Sequence, residues 1–326
     1  MKPSETEPLV RTGGNGATDL DRLIEQLNTV MECEQAAARL IWCGPAVIPA
    51  LRKFLLEGKP RVVYQPRKAA VEALGGLRAK DVLIEYVTSK RDIGDAATRF
   101  AEDSVKNAAA RELAKFRTKD VLDVLLSFAL PRSRAGIVEA LGQFGSMEAI
   151  PYFLRALEDD LCQAAAVDAL RHFGEAALLA LVTSARTRLP SPEEERPSSL
   201  RRRARVLELI GEIGPPSTLW PLLKSLLEDD DPPIVAATAD LATLLGDPKD
   251  RACAAQNLIR VLPRADWYFR EEIQRLLIEL YPEAGPHVEQ EYHARTTRSE
   301  VEMVMDSTLR VLENVRHSAR SPHLKE

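Results

Sequence analysis

Side chains able to carry chemistry are sparse in this sequence and poorly clustered. The five histidines, His172, His287, His293, His317 and His323, show no pairing at i, i+4 with a ligand-type residue on an obvious helix, so no metal-binding face is expected. The phosphate-cradling pattern G-x-x-x-x-G-K-[ST], the nucleophile elbow G-x-S-x-G and the zinc pattern H-E-x-x-H are absent. Gly13-Gly14-Asn15-Gly16 follows no strand and makes no phosphate loop. Cys33, Cys43, Cys162 and Cys253 are far apart with no C-x-x-C, and read as small buried hydrophobes in a reducing compartment. No catalytic residue, cofactor or metal is expected.

Charge is the stronger signal. Ala50 to Lys80 holds eight basic residues (Arg52, Lys53, Lys59, Arg61, Arg67, Lys68, Arg78, Lys80) against Glu57 and Glu72, a local +6, with Tyr64 inside it. One reading is a surface for an anionic partner. The other is ordinary solvated helix ends. Arg201, Arg202, Arg203 and Arg205 open a helix, where cations oppose the macrodipole. Either Glu193 to Glu195 in the preceding loop compensates, or a partner does. The whole chain carries −5, so nothing requires a polyanionic partner.

The elements that must position these residues are helices. Ile137 to Asp159 reads as a helix with Val138, Leu141 and Phe144 on one face, a corner at Gly145, and a second helix with Ile150, Phe153, Leu154 and Leu157. Pro151 falls in the first turn of that second helix, where a missing N–H costs nothing. Further corners end at positions 44, 78, 117, 174, 214 and 246; with Gly145 included, the steps are 34, 39, 28, 29, 40 and 32. The second helix recurs as VIPALRKFL, AIPYFLRAL and LWPLLKSLL. Residues 58–66 read as an extended connector and 190–199 as a loop insertion. Capping boxes at Thr18 and Ser299 predict helices to about Val30 and about Val315. With only 5% aromatic residues, packing rests on Leu, Ala, Val and Ile. No apolar run reaches ~18 residues, so no membrane span is expected. The opening MKPSETEPLVRTGGNGAT has no apolar core and does not read as a secretory signal.

These motifs resemble the HEAT repeat, and more closely its short variant in the phycobilin-lyase-like proteins. The carrying residues are the lead from Asp159 to Cys162, the Ala-rich first helices (Ala108 to Ala110, Ala164 to Ala166) and the Leu-Gly-x-apolar-Gly corners. The resemblance spans roughly residues 31 to 295. Arg78 and Arg117 depart from it by standing where the corner glycine belongs. It implies an all-α solenoid and, because HEAT proteins are mostly scaffolds, protein binding. HEAT-like alkylpurine DNA glycosylases hold a base with aromatic and carboxylate groups, and Asp266-Trp267-Tyr268-Phe269 is similar to that set. Residues 266 to 306 carry ten acidic and four basic side chains, which would repel phosphate, so core packing is expected of the aromatics. Di-iron HEAT hydroxylases use repeated His-Glu pairs, and this sequence has no His-Glu dipeptide.

The expected fold is therefore an all-α superhelical solenoid of about seven to eight HEAT-like hairpins over residues 18–295. Residues 1–17 and 317–326 are expected to be disordered and 296–316 to form a C-terminal capping helix. The expected function is a cytoplasmic, monomeric, non-enzymatic scaffold whose partner is another protein, engaged through an acidic segment. A chromophore (bilin) lyase-like subunit and a nucleic-acid-binding protein are the alternatives. Second-helix positions Arg52, Lys53, Glu85, Asp123, Arg155 and Lys224 are expected to form a concave ridge, basic in its N-terminal half. The candidate surface comprises Arg52, Lys53, Arg61, Tyr64, Arg67, Lys68, Arg155, Arg201, Arg202 and Arg205.

Overall fold

A computed structural model describes residues 16–129, 134–189, 195–302 and 307–320. The regular elements among them are helices, and no extended strand forms among the described residues. The chain divides into two compact units: residues 1–156 with 160–169, and residues 157–159 with 170–326.

In the first unit α1 (Gly16–Leu27) precedes the hairpin of α2 (Cys33–Trp42) and α3 (Ile48–Leu56). Then come α4 (Gln65–Gly76) with α5 (Lys80–Thr88), α6 (Ala96–Ala114) with α7 (Lys119–Ala129), and α8 (Ala135–Phe144) with α9 (Ile150–Ala156). First helices stack on first helices, α2 on α4 on α6 on α8, and second on second, α3 on α5 on α7. This layering is why each hairpin is buried only by its neighbours. Small residues bring the first layer close. Ala69, Ala70 and Ala73 of α4 and Ala108 to Ala110 of α6 are buried, and a Cβ at Gly136 of α8 would lie 2.5 Å from the Asn107 backbone. The second helices bury leucines such as Leu51, Leu55, Leu83 and Leu125.

α10 (Gln163–Phe173) begins in the first unit and ends in the second. The second unit continues with α11 (Leu178–Arg186), α12 (Pro197–Ile213), the short α13 (Trp220–Leu223), α14 (Pro232–Leu245), α15 (Pro248–Val261), α16 (Trp267–Glu279), α17 (Tyr281–Glu302) and α18 (Ser307–Arg320). Here α12 packs on α14, α14 on α16 and α16 on α18, while α15 packs on α17. Each unit is thus all-α among the described residues, its helices paired in the manner of HEAT hairpins.

All but one of the expected corners have left-handed backbone: Gly44 (φ 76°), Arg78 (59°), Arg117 (52°), Gly145 (62°), Gly174 (53°) and Gly214 (80°). Arg78 completes a Schellman stop, with Ala79 N–H donating to Leu74 O at 2.9 Å and Arg78 N–H to Gly75 O at 3.0 Å. The corner conformation therefore survives the arginine substitutions, at a cost of ~1–2 kcal/mol per L-residue. Gly246 is the exception, with φ −78°. There Asp247 does the turning instead, its Oδ1 accepting from Lys249 N–H and Asp250 N–H, both at 2.8 Å, to cap α15.

The C-terminal helices also differ from expectation. α17 runs through position 299, where the sequence predicts a helix start, and the next helix, α18, starts at Ser307. α1 opens at Gly16 and α18 extends to Arg320; residues 1–15 and 321–326 of the expected disordered ends lie outside the described residues. No helix among the described residues is long and apolar enough to cross a membrane.

Candidate functional site

Arg67 lies in the first turn of α4 and is 5% exposed. Its guanidinium reaches back to the end of α3, donating to Leu55 O at 2.9 Å, Gly58 O at 3.3 Å and Phe54 O at 3.4 Å. The last carbonyls of a helix have no intrahelical donor and carry the negative end of its dipole. Glu102 of α6 balances the charge, accepting from Arg67 Nε and Nη2 at 3.1 Å each and from Tyr86 OH at 2.8 Å. Burial first, then the Glu102 carboxylate, push the Tyr86 phenol far above its ordinary range, so it stays a donor. Arg91 adds bonds to the carbonyl oxygens of Leu55, Leu56 and Gly58.

The device recurs. Lys106 of α6 donates to Val87 O and Ser89 O at the end of α5, and burial lowers its pKa. In α12, Arg203 donates to Ala185 O at 2.7 Å, and Arg202 to Ser184 O at 3.1 Å and Thr187 O at 2.7 Å, at the end of α11. Arg203 is paired with Glu195 at 2.7 Å and Asp229 at 2.6 Å, and Arg202 with Glu158 at 2.9 Å. Burial alone would raise the Asp229 pKa, but the hydrogen bonds from Arg203, the Asp231 N–H and Arg188, together with the Arg203 charge, outweigh it and hold the carboxyl below its ordinary value. Arg260 of α15 likewise donates to Asp229 O at 2.7 Å. A basic residue of one first or second helix thus closes the open end of an earlier one.

This corrects the expected surface. Arg67 and Arg202 are buried clamps on helix ends, each held by a carboxylate, and not open surface cations. Tyr64 is half-buried at the N-cap position of α4. Arg52 forks onto Glu85 of α5, with Nε–Oε2 at 2.8 Å. Lys68 pairs with Glu72 at 3.5 Å, and Arg205 with Glu208 and, at 3.7 Å, with Glu212. Lys224 lies 4.0 Å from Asp250. Arg155 and Arg201 are exposed and also engaged. The charges expected of the ridge are therefore mostly paired, as where adjacent second helices present Arg52 and Glu85 to each other. The expected compensation of Arg201 to Arg205 is met in part by Glu195, which folds back onto Arg203; Glu193 lies outside the described residues.

Two of the expected residues do converge. Lys53 of α3 and Arg61 of the connector line a cleft of about 620 Å³ between α1, α3 and residues 58–66. Lys59 joins them, and the walls include Ile24, Phe54, Val63 and Pro66, with Arg67 at the base. Lys53, Lys59 and Arg61 are exposed and have no ion-pair partner among the described residues. Asp21 and Glu57 are the acidic members. Chemically this is a cleft with apolar walls edged by exposed cations. No side-chain pattern marked α1 as its far wall, since that wall is set by packing of α1 on α2 and α3.

The remaining candidates separate plainly. Trp267 and Tyr268 are 74% and 60% exposed, not core; they occupy the first turn of α16, whose cap is Asp266 accepting from Phe269 N–H at 3.0 Å. Cys33 and Cys162 are buried, but Cys43 is exposed and Cys253 half-buried. His293 and His317 do stand at i+4 from carboxylates, with Nε2 at 3.8 Å from Glu289 and 3.9 Å from Glu313, because α17 and α18 run on through them. Each is a single pair, and no group of three or more metal-donor side chains forms among the described residues.

Among known families, residues 92–171 match the model described as HEAT repeats, which covers α6 to α9 and most of α10. No curated protein matches the chain.

Proposed function

We propose that this HEAT-repeat chain is a non-enzymatic protein-binding scaffold whose partner docks in the cleft between α1, α3 and residues 58–66. HEAT repeats generally serve protein interaction, and a stack of hairpins offers long surfaces made from side chains the core does not use. The observation that carries the reading is the set of unpaired cations, Lys53, Lys59 and Arg61, around the apolar Ile24, Phe54 and Val63, while neighbouring cations are paired or buried. A protein segment with acidic residues flanking an apolar one fits that chemistry, with association weakening as salt rises. The 28- and 29-residue steps around Gly145 support the short, phycobilin-lyase-like class of repeat.

The test is K53E/R61E in the full-length protein, purified with an affinity tag from its own cells at low salt. A partner recovered with wild type should fall at least fivefold with the variant and be released by high salt, at an unchanged melting temperature. Equal recovery with both proteins removes the cleft from consideration.

A further inference from the structure

The first unit carries one internal repetition that the stacking of hairpins does not require. Leu77-Arg78-Ala79-Lys80-Asp81-Val82 and Phe116-Arg117-Thr118-Lys119-Asp120-Val121 follow the same R-x-K-D-V pattern at successive corners. Elsewhere the left-handed corner is glycine; here both are arginine, at φ 59° and 52°. Glycine would serve the backbone better at both places, so the strain points to what the side chains do.

Their setting is specific. Arg78 Cζ lies over the Phe116 ring, 4.6 Å from its centroid, so the guanidinium rests on an aromatic side chain supplied by the next hairpin. Lys80 crosses to Asp120 at 2.7 Å and ties the two corners together. Arg78 and Arg117 are exposed, and neither side chain has an ion-pair partner among the described residues. Beside Arg78 lies a shallow groove of about 480 Å³ lined also by Ile48, Lys80, Asp81, Val82, Phe116 and Thr118, and Arg117 sits in the chain between the last two of these. Successive first helices α4 and α6 are packed neighbours, so the corners are about 10 Å apart, the spacing of packed helix axes. An extended segment covers that distance in about three residues.

We infer that the corner edge of α4–α5 and α6–α7 is a second interaction surface, which takes an acidic segment of another protein. Carboxylates on that segment meet the fork of Arg78 and the guanidinium of Arg117, and an apolar side chain between them rests against Ile48, Val82 and Phe116. The contact with Phe116 restrains Arg78 in advance, which reduces the ordering cost of a carboxylate contact. The surface shares no residue with the α1–α3 cleft and does not depend on a partner binding there.

R78G/R117G tests this without endangering the fold, because glycine relieves both left-handed positions. Fluorescence anisotropy would use a labelled decapeptide of alternating Glu and Leu at low salt, on K53E/R61E, in which the cleft charge is reversed, and on K53E/R61E/R78G/R117G. The expected result is at least tenfold weaker binding once the two corner arginines are replaced, at a melting temperature equal to or above that of K53E/R61E. Equal binding by the two proteins overturns the inference. No binding by K53E/R61E overturns it too and leaves an acidic segment to the cleft alone.

Discussion

Asp120 opens α7 at the surface, yet its carboxyl is held down to about 2, first by the hydrogen bond from Lys80 and then by Thr118. Lys80 moves the opposite way, its ammonium stabilised by the same bond. A carboxyl depressed in the folded state adds stability above its unfolded pKa of about 4, and that contribution is lost as pH falls through about 2. The ion pair is mostly exposed, so the effect on overall stability is small. NMR titration of the Asp120 carboxyl should give a midpoint at about 2 in wild type and a value raised toward the ordinary range in Lys80→Met. An unmoved midpoint in that variant would assign the depression to Thr118 and the helix terminus.

At the scale of elements, what joins one hairpin to the next is as much ionic as apolar. Arg67 closes α3, Lys106 closes α5, and Arg202 with Arg203 close α11. Each of the buried arginines has its carboxylate, because an unpaired buried charge is far more costly than the pair. Arg67→Met should therefore destabilise the protein by about 3–5 kcal/mol, leaving Glu102 buried against Tyr86 with no cation of equal reach. Arg67→Met with Glu102→Leu should recover more than half of that loss in urea unfolding. If the double variant is no more stable than the single one, the α3 carbonyls and not the ion pair carry the energy.

At the scale of the whole chain, the second unit ends on a helix that covers a layer. α18 buries Val311, Leu312 and Val315 against α16 and α17, and Arg316 lies 3.8 Å over the Tyr292 ring while pairing with Glu289 at 2.9 Å. A stacked array without such an end exposes a broad apolar face. Removing residues 307–326 should turn a monodisperse sample into dimers or aggregates in light scattering and lower the melting temperature. A truncated protein that keeps its size and melting point would show that α18 covers nothing the array needs.

The amino-acid order by itself determined the helices, their pairing and the corners, because these depend on local properties: apolar period, proline in a first turn, and a backbone that must turn left-handed at fixed places. It even placed the arginine corners correctly, since the helix stop at Arg78 is made by hydrogen bonds within residues 74–79. It could not determine the fate of each cation. Arg67 is buried and neighbouring Lys68 exposed; Arg202 is buried and neighbouring Arg201 exposed. Adjacent helical residues point about 100° apart, and only the stacking of hairpins decides which direction meets an earlier helix end and a carboxylate. Glu102 is 35 residues from Arg67, and Asp229 is 26 from Arg203. A surface read from charge along the chain therefore mixed buried clamps with exposed cations, and the tertiary structure separated them by burial and pairing.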